Sequence, residues 1–237
     1  MKTICIIPAR SGSKGIEDKN IRHIGGRPLI DHSIRQAVHA ELDLIITTDS
    51  QKYIDMVNSM YPKGVQNQGR MLYCPFQRDK KLARDDTPTN RVVLDVLKWI
   101  DENRPDEYDA FVLLEPTAPL RFTKDITLPL AMMRQDESIP SVVSVCDDHR
   151  KHPALSFRMN RGILQSNTDT PHLRRQALEP FYHLTGTIYA ARIPFYREHK
   201  TFITPETRGY VVAPWQDFEI DTPDDIPIIE LFIKRVM

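Results

Sequence analysis

Residues 4–20 read ICIIPARSGSKGIEDKN, and this stretch decides how the chain is understood. The run Ile4-Cys5-Ile6-Ile7 has no polar alternation, as expected of a strand covered on both faces. Pro8 ends the run, and a polar loop follows with Arg10, Ser11, Gly12, Ser13, Lys14, Gly15 and Lys19. Glycines let successive backbone N–H groups turn into one concavity, which suits phosphate oxygens. Arg10 brings a planar fork of donors, while Lys14 and Lys19 are compact point charges. Taken alone, GSKG reads equally as a basic surface loop after a strand. The added cations, hydroxyls and glycines tilt the reading towards phosphate. The loop is not a Walker motif, because Lys14 precedes Gly15 and no Ser or Thr follows. G-x-G-x-x-G is absent as well, so a Walker-type ATPase and a nicotinamide or flavin enzyme are disfavoured.

Outward from the loop, residues 28–40 place Leu29, Ile30, Ile34, Ala37 and Val38 on one helical face. Residues 42–47 form a second apolar strand, and Thr48-Asp49-Ser50 stand ready to cap a helix over 51–60. Strand, helix, strand, helix predicts an α/β fold with a parallel sheet, whose ligands sit at the carboxyl ends of strands. Residues 62–90 are irregular and end in a charged run that reads as a solvated or a binding loop. A helix over 90–103 follows, with Val92, Val93, Val96, Leu97 and Ile100 inward, then a strand over 111–114. Glu115 and Arg121 flank that strand's exit loop and either pair with each other or serve a site. A helix over 123–134 contains Pro129, which would kink it. Strands are expected at 141–146, 187–191 and 210–213, and residues 147–180 read as an excursion from the sheet, an antiparallel arm meeting a second subunit. Thr222 would cap a final helix from about Pro223, with Asp224 and Asp225 at its positive end.

The 237 residues suit a single α/β domain, and the absence of linker, repeat or low-complexity tract agrees. Lys plus Arg and Asp plus Glu both number 32, so no basic field exists for a nucleic acid polymer. No apolar run approaches the roughly 20 residues of a membrane span. Met1-Lys2 leads straight into a strand, which predicts no signal peptide. Cys5, Cys74 and Cys146 are odd in number and widely spaced, as expected of free thiols in a cytoplasmic protein.

A second constellation lies at Phe218-Glu219-Ile220-Asp221. On a strand the two carboxylates share a face, about 7 Å apart, and repel unless a cation joins them. Mg²⁺ suits such a pair, since it accepts one or two carboxylates and completes its shell with water and phosphate oxygens. The plainer alternative makes Asp221 a helix-start residue and Glu219 a solvent-facing one. With the cationic loop in the same domain, the two signals join as nucleotidyl transfer.

The same residues carry a family resemblance. IIPARSGSKGIEDKN, LARDDTPT (82–89), LLEPTAPLR (113–121), RRQ (174–176), GTIY (186–189) and FEIDTPDD (218–225) follow one another as in the acylneuraminate cytidylyltransferases, the CMP-sialic acid synthetase family, which this chain resembles along nearly its whole length. The resemblance implies a mostly parallel, Rossmann-like sheet flanked by helices, of the nucleotide-diphospho-sugar transferase type, with a small dimerisation arm at about 147–180. It implies CMP transfer from CTP to the anomeric hydroxyl of a 2-keto sugar acid with Mg²⁺, by a homodimer. Carried over by position, Arg10, Ser13, Lys14 and Lys19 match triphosphate contacts and Asn20 a nucleotide contact. Arg78, Thr87 and Thr89 match the cytidine site, Arg175 an arginine near the sugar acid, and Glu219 with Asp221 the metal pair. Asp221, directly or through a metal-bound water, is the leading general base.

Departures cluster on the acceptor side. Glu115 stands where sialic acid enzymes commonly have Gln, and Leu155 where some carry Lys. His183 and Thr185 in YHLTGTIY replace the Arg and Asn of RPNGAIY. Exchanging an amide for a carboxylate and losing two cations changes what charge the pocket neutralises. The acceptor expected is therefore a modified nonulosonate or another acid rather than plain N-acetylneuraminate. An eight-carbon ulosonate, a phosphonate, or a non-catalytic nucleotide- or sugar-binding role on the same fold are the alternatives.

Overall fold

The computed structural model describes residues 1–62, 72–148, 151–167 and 178–236. Its first half comprises β1 (Thr3–Pro8), β2 (His23–Ile24), β3 (Arg27–Pro28), α1 (Leu29–His39), β4 (Asp43–Thr47), α2 (Gln51–Met60), β5 (Leu72–Tyr73) and α3 (Thr89–Asn103). Next come β6 (Ala110–Leu113), α4 (Thr123–Gln135), β7 (Ser141–Asp147) and the pair β8 (Phe157–Asn160) and β9 (Ile163–Ser166). The chain closes with β10 (Tyr182–Arg192), α5 (Ile193–His199), β11 (Arg208–Val211) and α6 (Asp225–Val236).

The main sheet has the order β11-β7-β10-β6-β1-β4-β5. Every strand runs parallel except β10, which is antiparallel to both β6 and β7. The mostly parallel α/β sheet expected from the sequence is thus present. Side-chain alternation along β1 explains its apolar run: Cys5 and Ile7 pack with α1, α2 and α4, whereas Ile4 and Ile6 pack with α3 and α5. β1 lies between β4 and β6, so the chain leaves it first to one side and later returns on the other. That reversal is a topological switch point, and the opening loop leaves from it. A third cluster, with Ile16, Leu29, Ile220 and Ile229 buried, ties the loop to the segment before α6.

Several local expectations are corrected. Ser50 occupies the N-cap of α2 without a side-chain cap bond. Thr48 Oγ1 instead accepts from Ser50 N, and Asp49 turns to the opening loop. Phe218–Asp221 is not a strand: no ladder includes it, and Ile220 N donates to Thr117 O at 2.9 Å. α6 starts at Asp225 rather than Pro223, because Asp225 Oδ2 accepts from Asp221 N, Thr222 N and Thr222 Oγ1 and so closes a turn ahead of the helix. β10 begins at Tyr182, which puts His183 and Thr185 inside a strand rather than before one. α4 continues through the buried Pro129.

The register of β10 against β7 shifts between Leu184 and Tyr189, a bulge next to the exit of β6. Side chains satisfy the carbonyls it frees. Ser144 Oγ serves Thr185 O and Ile188 O, while Arg121 Nε reaches Thr187 O at 2.8 Å. Within 147–180, β8 and β9 form an antiparallel hairpin that is exposed at every position. Residues 149–150 and 168–177, Arg175 among them, lie outside the described residues. Among the described residues, no helix is long and apolar enough to cross a membrane.

Candidate active site

A pocket of about 590 Å³ opens where β1 and β6 end, and it is lined by the opening loop, the turn before α3, Glu115 and the 219–221 segment. Arg10, Ser13, Lys14, Lys19, Asn20, Arg78, Thr87, Thr89, Glu115, Glu219 and Asp221 all line it. Residues as far apart in the sequence as Arg10 and Asp221 therefore converge on one pocket.

The loop is held by specific bonds. Ser11 N and Oγ donate to Asp49 at 2.9 and 2.8 Å, and Asn20 Nδ2 donates to Arg10 O at 2.9 Å. Asn20 is almost fully buried, so its hydrogen bond shapes the loop as well as facing the pocket. Lys19 Nζ donates to Ile220 O at 2.6 Å and pairs with Asp221 Oδ1 at 3.1 Å. Gly15 is required here for space: a Cβ would stand 2.1 Å from the Asp221 carbonyl oxygen. Gly15→Ala should therefore lower stability by about 1–3 kcal/mol, the usual cost of overpacking, because two backbones meet here. Urea denaturation checks this, and wild-type stability would refute the close approach.

The electrostatics are divided. Arg10 and Lys14 both bind Asp85, through Arg10 NH1 to one carboxylate oxygen and Lys14 Nζ to the other at 2.6 Å. Those cations hold the Asp85 carboxyl below its ordinary range. Arg78 is nearly buried, and burial lowers its guanidinium, with Asp49 and Asp95 opposing. On the acidic side, burial and then the Asp221 charge push Glu219 upward, while Gly186 N donates to its Oε1 at 3.0 Å. Burial and then the Glu219 charge push Glu115 up to about 7. A Cβ at Gly186 would meet carboxylate oxygens of both Glu219 and Glu115, at 2.3 and 3.2 Å, so this glycine gives both room.

Arg121 does not pair with the Glu115 carboxylate. Fully buried, it donates to the Glu115 carbonyl at 2.7 Å, to Ser33 Oγ and to Thr187 O. Its charge nonetheless favours ionisation of Glu115 and Glu219.

Glu219 and Asp221 pass a chemical test for a hard cation. Both are oxygen donors on one pocket, and the Asp221 charge adds to burial in pushing Glu219 upward, a repulsion that a cation would relieve. Among the described residues no three His, Cys, Asp or Glu side chains close on one point. The fit is thus to an ion that uses two carboxylates and fills its shell with water and phosphate, as Mg²⁺ does.

Acceptor-side positions are placed differently. His183 Nε2 lies 2.9 Å from Asp217, which also binds Lys151, and Thr185 is buried with its hydroxyl on Ser144 and Thr187. Neither lines the pocket, Leu155 is exposed just ahead of β8, and Arg175 falls outside the described residues. Sequence reasoning missed a second pocket of about 260 Å³ that shares Thr89 and Glu115 with the first and adds Tyr189, Tyr196, Lys200 and Phe202. It paired neither Asp49 nor Asp85 with the opening loop, although it placed Thr48-Asp49-Ser50 at the carboxyl end of a parallel strand, where ligands are expected.

The chain is similar to known proteins along its length. Residues 4–233 match the family model described as cytidylyltransferase. The chain is 31% identical over 232 residues to N-acylneuraminate cytidylyltransferase of Streptococcus agalactiae serotype V, covering 95% of this chain but 52% of that protein. It therefore spans about half the length of that relative. It is 31% identical to CMP-N,N'-diacetyllegionaminic acid synthase of Legionella pneumophila, covering 99% of this chain and 97% of that one. In fold it is similar to CMP:2-keto-3-deoxy-manno-octonic acid synthetase complexed with CTP, with a TM-score of 0.70, 18% identity and 100% of both chains covered.

Proposed function

The chain belongs to the cytidylyltransferase family, and from that premise we propose that it transfers CMP from CTP to the anomeric hydroxyl of a sialic-acid-like 2-keto sugar acid, releasing pyrophosphate. The observation that carries the proposal is the meeting of Arg10, Lys14 and Lys19 with Glu219 and Asp221 around one pocket. Arg78, Thr87 and Thr89 receive the cytidine, and the loop receives the triphosphate. The acceptor enters the second pocket, whose shared wall at Glu115 brings its hydroxyl to the α-phosphorus. The new bond joins that oxygen to phosphorus as the bond to pyrophosphate breaks, and Lys14 and Arg10 stabilise the departing charge. Asp221, well exposed to the pocket, takes the hydroxyl proton. Mg²⁺ bound by Glu219 and Asp221 would supply charge stabilisation at the phosphate oxygens. A reaction that consumes CTP in this way belongs in the cytoplasm.

Glu115 makes the acceptor side more acidic than an amide would. This favours an amino-substituted or otherwise modified nonulosonate over plain N-acetylneuraminate. Pyrophosphate release is the test, with CTP, UTP and ATP offered against a panel of eight- and nine-carbon 2-keto acids and Mg²⁺ present. CTP-dependent release with modified nonulosonates supports the reading. Release with an eight-carbon acid alone, or with none, overturns it.

The β8–β9 hairpin supports a homodimer. Met159 pairs with Leu164, and both share one face with Phe157, all exposed. A second copy covering that face removes it from water. Met159→Asp with Leu164→Asp should halve the mass seen by light scattering; an unchanged mass would remove the hairpin from the interface.

A further inference from the structure

We propose that Asp85 is a displaceable counter-anion of the phosphate loop, occupying Arg10 and Lys14 until β- and γ-phosphates replace it and reclaiming them as pyrophosphate leaves. The inference rests on reading the pocket as a triphosphate site. Its two carboxylate oxygens engage different cations, Arg10 through one and Lys14 through the other, as two phosphate oxygens would. All three partners line the same pocket. The remaining loop cation, Lys19, is held elsewhere by Ile220 O and Asp221. An arriving triphosphate therefore meets cations already neutralised by the protein.

Asp85 sits in a turn that suits release. Thr87 N bonds to Arg84 O at 3.2 Å and Thr87 Oγ1 to Lys81 O at 3.1 Å, so the turn keeps its shape while the Asp85 side chain rotates. Asp85 and Lys14 are substantially exposed, and ion pairs of that kind are weak and screened. A single exposed carboxylate loses to a polyanion carrying several charges. Left in place, it would repel the phosphates across the same two cations. A weak competitor of this kind keeps the cations ordered in the empty site and lowers the barrier to product release.

The contrasting role is orientation, in which Asp85 stays put and steers Arg10 and Lys14 onto phosphate. The two roles predict opposite signs for Asp85→Asn, which keeps the shape and removes the charge. Calorimetric titration would use inorganic pyrophosphate, CTP and CMP against the wild type, Asp85→Asn and Asp86→Asn. Displacement predicts that Asp85→Asn tightens pyrophosphate and CTP by about fivefold or more at low ionic strength, the difference shrinking with salt. CMP, which lacks the β- and γ-phosphates, should change little, and Asp86→Asn should behave as the wild type. Equal or weaker pyrophosphate binding by Asp85→Asn overturns the inference, as does failure of both proteins to bind pyrophosphate. If the wild type binds pyrophosphate but not CTP, the cytidylyl reading fails while the pyrophosphate comparison still decides the role of Asp85.

Discussion

Asp221→Asn should lower the turnover of the proposed CMP transfer by about 10²- to 10³-fold, the scale set by losing one preorganised electrostatic contact at the reacting phosphate. Asp221 joins the acidic side of the pocket to its cationic side, since its Oδ1 pairs with Lys19 and its charge acts on Glu219. Asn keeps the size and the backbone bond from Asp221 N to Asp225 Oδ2, but removes the charge that would hold a cation. The side chain is 74% exposed, so stability should scarcely change. Initial rates of pyrophosphate release at saturating CTP and Mg²⁺, alongside a melting curve, separate the two effects. A stable variant with near-normal turnover would take Asp221 out of the reaction.

Arg121→Met should reduce unfolding free energy by about 3–5 kcal/mol, the usual cost of stripping one partner from a buried charged network. Burial lowers the guanidinium to about 10, yet it persists because it binds the carbonyls of Glu115 and Thr187 and lies near Glu115, Glu219 and Asp125. Met fills comparable volume but leaves the bulge carbonyls unpaired and the carboxylates without their buried counter-charge. Lys should rescue little, because one ammonium cannot reproduce three directed donors of a planar fork. Urea denaturation with an unchanged slope provides the measurement. A loss below about 1 kcal/mol would mean that the network is a bystander.

How much of the site was legible depended on the range of the interaction. Helices α1, α2 and α3 lie within a residue of their expected limits because apolar spacing is a local property. Glu219 and Asp221 face one pocket as expected, although the strand invoked to align them is absent. Ile220 anchors the segment between them by burial, so the same alternation of inward and outward side chains arises without a ladder. His183 and Thr185 were carried over by motif position. The bulge of β10 and the carboxylate of Asp217 decide where those side chains go, and neither is written in YHLTGTIY.

By itself, the sequence determined the parallel α/β framework, the gathering of cations in residues 10–19 and the family. Each is carried by contiguous residues whose periodicity or composition has a direct physical meaning. Tertiary structure alone decided the pairings: Asp85 with Arg10 and Lys14, Gly15 against Asp221, and Arg121 beneath the bulge. A charge or a missing Cβ acts on whatever lies within a few ångströms, and chain separation does not enter that interaction. The opening loop's cations are therefore legible in the sequence, but what neutralises and confines them is set by residues that meet the loop only after folding.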